Sequence, residues 1–98
     1  MVIATFAVAN MERIEKLESI LEKRLQDVKG NQLMAGDYEE FIQKYNKARI
    51  ERLELEKQGN HKRAETHYMS DLLAILVDIY KLEDQVTPAV NMYKSEAN

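Results

Sequence analysis

The 98-residue sequence has no cysteine and no tryptophan, one proline and three glycines. Without cysteine there is no disulfide framework, no thiolate metal site, no thiol nucleophile and no redox switch. So little glycine and proline leaves few forced turns, and few turns in a short chain mean long elements. Glycine-rich phosphate loops are excluded because Gly30, Gly36 and Gly59 stand far apart. Ser19, Ser70 and Ser95 lie in helical or terminal context with no nucleophile elbow around them. There is no large excess of positive charge: the net charge is −3, which argues against a general nucleic-acid coat. No apolar run reaches the roughly 20 residues needed to span a bilayer. The segment Met1–Ala9 also lacks the basic start of a signal peptide. A cytoplasmic protein with no membrane association is expected.

What is present is apolar residues at 45% and charged residues at 32%, a composition that folds. Ile3, Phe6, Ala7, Met11, Ile14, Leu17, Leu21, Leu25 and Val28 fall on one stripe at about 100° per residue, predicting a first helix over 3–29. Gly30 is expected at its C′ position. Leu33 and Met34, in the loop that follows, are expected to cover the end of the core. Asp37 and Glu40 have the spacing of a capping box for a second helix over 38–58. Tyr38, Phe41, Tyr45, Ala48 and Leu55 form a heptad-like seam there, with Arg52 at its polar position.

A third helix is predicted over 61–85, after the Gly59 stop. Tyr68, Leu72, Ile75, Leu76, Ile79 and Leu82 make its main stripe, and Met69, Leu73, Val77 and Tyr80 a second. Thr87-Pro88 is expected to end it and to open a short helix over 88–94. The fold class is therefore all-α: one domain spanning 1–98, an antiparallel bundle of three long helices with a short C-terminal helix. Three rods of roughly 37 Å each make a thin bundle. The second stripe of the third helix and the apolar start of the first are surplus to it. A dimer or higher oligomer would bury them.

The expected function is binding and not catalysis: a small helical protein–protein interaction module, such as the adaptors, chaperones, inhibitors and regulators of bacteria and phages. Ile3, Phe6, Leu73, Val77 and Tyr80 are its expected contact residues, with a second copy and a protein partner as ligands and no cofactor.

Two other chemistries have material. Lys57, Lys62 and Arg63, around the Gly59-Asn60 turn, place cations beside the free N–H groups of a helix start, where a phosphorylated ligand or nucleic acid can bind. The nearby Glu51, Glu54 and Glu56 oppose that use. His67, Asp71, Asp78 and Lys81 lie along one polar strip, with His67 and Asp71 at the i,i+4 spacing that lets two side chains share a proton or a metal. Finally, Glu51-x-x-Glu54 followed by Asp71 opening the apolar run Leu72–Val77 resembles the all-α nucleoside triphosphate pyrophosphohydrolases of the MazG type. That resemblance covers about a fifth of the chain and implies a metal-dependent nucleotide hydrolase holding magnesium on Glu51, Glu54 and Asp71. The chain departs from the pattern at Tyr68, where those enzymes carry a glutamate.

Overall fold

A computed structural model describes residues 2–97, and the side-chain environments of residues 10–87. Helix α1 spans Val2–Gly30, α2 spans Tyr38–Lys57 and α3 spans His61–Ala97, with a 3-10 turn at Ala35–Asp37. All three helices pack together, and the expected all-α class is observed.

Contacts between named side chains set the directions. Asn10, Glu18 and Arg24 of α1 meet Glu65, Tyr68 and Glu83 of α3 in the same order, so these helices are parallel. Glu22 meets Tyr45 and Lys29 lies over Tyr38, which makes α1 and α2 antiparallel. Lys44 meets Asp78 and Glu51 meets His67, which makes α2 and α3 antiparallel. The Cα trace measures 60 × 24 × 16 Å, an elongated shape with much surface for each core residue.

The core follows the apolar phases of the sequence. Ile14, Leu21, Leu25 and Val28 of α1 meet Phe41, Tyr45 and Ala48 of α2 and Tyr68, Leu72, Ile75, Leu76 and Ile79 of α3. Met34 closes the end of this core and is buried, whereas its neighbour Leu33 is exposed. Asn10 is buried with them and donates a 3.2 Å hydrogen bond from Nδ2 to the Glu65 carboxylate.

The helix ends differ in part from the sequence expectations. Gly59 has φ 82°, and the Asn60 N–H donates to the Leu55 carbonyl while the Gly59 N–H donates to that of Glu56. This is a Schellman stop, and glycine adopts its left-handed backbone without a Cβ penalty. Gly30, by contrast, is the last residue of α1 and has no positive φ. Asn31 takes over, its side-chain oxygen accepting from the Leu33 N–H and its carbonyl from the Ala35 N–H. The Asp37–Glu40 capping box does not form: Asp37 is helical at φ −94°, ψ −6°, and its side chain makes no cap hydrogen bond. The preceding 3-10 turn leads the backbone into α2 in helical geometry, which removes the extended N-cap conformation a box requires.

The largest difference lies at Pro88. A break there and a separate helix over 88–94 are not observed, and no fourth helix occurs among the described residues, because α3 runs on to Ala97. Proline removes the N–H that would reach the Asp84 carbonyl. One missing rung does not stop a helix that is otherwise well populated on both sides. The Thr87 hydroxyl, instead of capping a new helix, bonds back to the Glu83 carbonyl at 2.6 Å.

Candidate functional site

Two kinds of surface stand out, one apolar and one polar. The apolar one begins on α3. Leu73, Val77 and Tyr80 are separated by about one turn each and remain 50%, 49% and 41% exposed. The Arg24 guanidinium lies 5.3 Å from the centre of the Tyr80 ring and pairs with Glu83 at 3.7 Å, which puts this stripe on the α1 side of α3. Ile20, one turn before Arg24 on α1, is partly exposed as well. Leu17 and Met69 pack against the core. Leu72, adjacent to Leu73, is completely buried, so the two stripes of α3 are physically distinct. The side chains of Ile3 and Phe6 lie outside the described residues.

A second exposed apolar pair, Ile50 and Leu53, lies on α2 at i,i+3, away from the buried seam of Phe41, Tyr45 and Ala48. The sequence reading missed Ile20, Ile50 and Leu53. The signal was present: each is a large apolar residue out of phase with its helix's core stripe.

The polar surface is built where α2 meets α3. The His67 imidazole Nε2 lies 3.5 Å from a Glu51 carboxylate oxygen and 3.7 Å from one of Asp71. Lys44 of α2 bridges Asp78 and Glu40 at 3.5 Å each. The polar strip His67–Asp71–Asp78 therefore pairs with the rim of α2 and is not merely a wetted edge. Glu51 and Asp71, placed together from sequence, do converge, but with His67; Glu54 lies outside that trio. Glu54 and Arg63 line an open depression beside it, together with Leu55, Gln58 and His67. Tyr68 is buried and donates its hydroxyl to Glu18 of α1.

Lys57, Lys62 and Arg63 are all exposed at the α2–α3 turn. Lys62 and Arg63 line a shallow depression with Gly59, His61, Thr66 and Ser70, but Lys57 does not reach it.

A further polar layer crosses the middle of the bundle. Tyr45 donates to Glu22 at 3.1 Å and Tyr68 to Glu18 at 2.8 Å. Arg49 stacks on the Tyr45 ring at 4.4 Å and Arg52 on the Tyr68 ring at 4.8 Å. Arg52 is thereby explained as a seam residue: it covers an aromatic ring and pairs with Glu56 at 3.1 Å. Burial raises the pKa of both phenols; Tyr45 is raised further by Tyr68 and by its bond to Glu22, and Tyr68 by its bond to Glu18.

No helix among the described residues is long and apolar enough to cross a membrane. No family model, curated protein or solved structure matches this chain.

Proposed function

We propose that this chain is a small helical protein–protein interaction module that self-associates and docks through its exposed apolar helix faces. The observation that carries the reading is the Leu73, Val77 and Tyr80 stripe, half-exposed on α3 with Tyr80 turned toward Arg24 of α1. Contiguous apolar surface of this kind costs free energy in water and is stabilised by a partner. Arg24, Glu83 and the neighbouring charges form a polar rim around it, the usual anatomy of an interface. A second copy is the first partner, because an apolar stripe can meet the same stripe of another copy across a two-fold axis.

The reading is preferred to its two rivals on specific grounds. A phosphorylated-ligand or nucleic-acid site at the basic turn has Lys62 and Arg63 in one open depression, but Lys57 outside it. A nucleotide hydrolase holding magnesium needs a fourth carboxylate where the chain has Tyr68, and that phenol is occupied by Glu18.

Sedimentation equilibrium tests the proposal. The parent chain is expected to sediment above its monomer mass, and Leu73→Glu and Val77→Glu as monomers with unchanged helical circular dichroism. A monomeric parent chain, or variants that self-associate as before, would overturn it.

A further inference from the structure

We propose that Glu51, His67 and Asp71 form a binding site for one first-row divalent transition ion of zinc-like chemistry, held between α2 and α3. The site is separate from the apolar stripe, which lies on the α1 side of α3.

The argument starts from ligand spacing. One donor atom from each of the three residues lies within 4.8 Å of the other two. Donors about 2.0–2.1 Å from a tetrahedral ion are about 3.3–3.4 Å from one another. The His67 Nε2 separations of 3.5 Å from Glu51 and 3.7 Å from Asp71 are close to that value. They are too long for good hydrogen bonds, whose donor–acceptor distances cluster near 2.9 Å. The three groups thus converge at separations longer than direct hydrogen bonds.

The donors are also presented from firm positions. His67 and Asp71 stand one turn apart on α3, so the helix itself spaces them. Glu51 arrives from the antiparallel helix, with the short Schellman turn at Gly59 holding the register. Only a small closure of the three side chains is needed.

Charge and donor type select the ion. Both contacts use the same ring nitrogen, so two carboxylates face one imidazole atom, an arrangement that favours a cation at their centre. An imidazole with carboxylates suits zinc and its neighbours, whereas magnesium and calcium take oxygen donors. Glu54 on one side and Asp78 on the other add negative charge, against Arg63, Lys47 and Lys44. Lys44 is already committed to Glu40 and Asp78. His67 is about half exposed, which leaves an entry path, and water completes the coordination.

The test is calorimetric titration of the chelator-treated full chain with zinc chloride, together with thermal melting. One zinc per chain is expected, with a melting temperature that rises with zinc concentration and no response to magnesium chloride. His67→Ala should abolish binding. Glu51→Gln and Asp71→Asn should each weaken it at least about tenfold, since even outer-shell changes cost that much. His61→Ala, at the exposed start of α3, should leave it unchanged. X-ray absorption of the zinc complex should show one imidazole nitrogen among oxygen donors, a readout that does not depend on any variant folding. No zinc response in the parent chain, binding that survives His67→Ala, or binding lost in His61→Ala would each overturn the proposal.

Discussion

The Tyr68 hydroxyl of α3 donates a 2.8 Å hydrogen bond to the Glu18 carboxylate of α1, across the parallel pair of helices. The Tyr68 ring is almost fully buried, so its polar tip must be satisfied within the protein or at its rim. Glu18 does this while remaining partly in water.

Tyr68→Phe is therefore expected to destabilise the chain by about 1.5–3 kcal/mol, the range for a hydrogen bond to a charged group. Glu18→Gln should cost less, because an amide oxygen still accepts. Urea denaturation of the two variants checks the order. A Tyr68→Phe midpoint equal to that of the parent chain would refute the assignment.

Alkaline stability follows from the raised pKa values of Tyr45 and Tyr68, both above the ordinary 10.0. The folded chain then holds these phenolic protons more tightly than the unfolded chain. The resulting stabilisation is complete below about pH 10 and declines as pH rises through and beyond that value. The melting temperature should fall in this window, and fall less steeply in the Tyr45→Phe/Tyr68→Phe double variant. Equal slopes in the two proteins would contradict the prediction.

Leu72 and Leu73 are neighbours in sequence with opposite environments, one buried and one half-exposed. Leu72→Ala should cost about 2–5 kcal/mol as a core truncation. Leu73→Ala, measured at dilution where the chain is monomeric, should lie within about 0.5 kcal/mol of the parent chain. Equal losses at both positions would mean that the second stripe of α3 is part of the core of a single chain.

Pro88 sits inside α3, where it removes a backbone donor. Pro88→Ala should raise the melting temperature, by relieving a penalty of up to about 3 kcal/mol for proline in a helix interior, and leave the helical circular dichroism at 222 nm nearly unchanged. A large gain in that signal would show that α3 is not continuous across this position in solution.

The three rods were legible because long apolar stripes with a helical period are interrupted at few places. The Gly59 stop was legible for the same reason. Pro88 misled because a proline signal is local, whereas helix continuation depends on what the neighbouring residues prefer. The Asp37–Glu40 box failed because the conformation of Asp37 is set by the preceding 3-10 turn, which has no strong sequence mark. The Glu51–His67–Asp71 trio was half legible: His67 and Asp71 share a helix and their spacing is visible in the sequence. Glu51 reaches them only through the register of two helices, which no spacing within one helix reveals.

The up-down-up order of the helices also bears on how the chain reaches its fold. The α2–α3 pair is local, joined by the short turn at Gln58–Asn60, and it shares the larger interface. The parallel α1–α3 contact closes over more than forty residues, as between Asn10 and Glu65, and carries a greater loop entropy. Folding kinetics should therefore be governed by the α2–α3 hairpin, with α1 docking after the barrier. Truncations such as Ile75→Val should slow refolding, whereas Leu21→Ala should mainly speed unfolding.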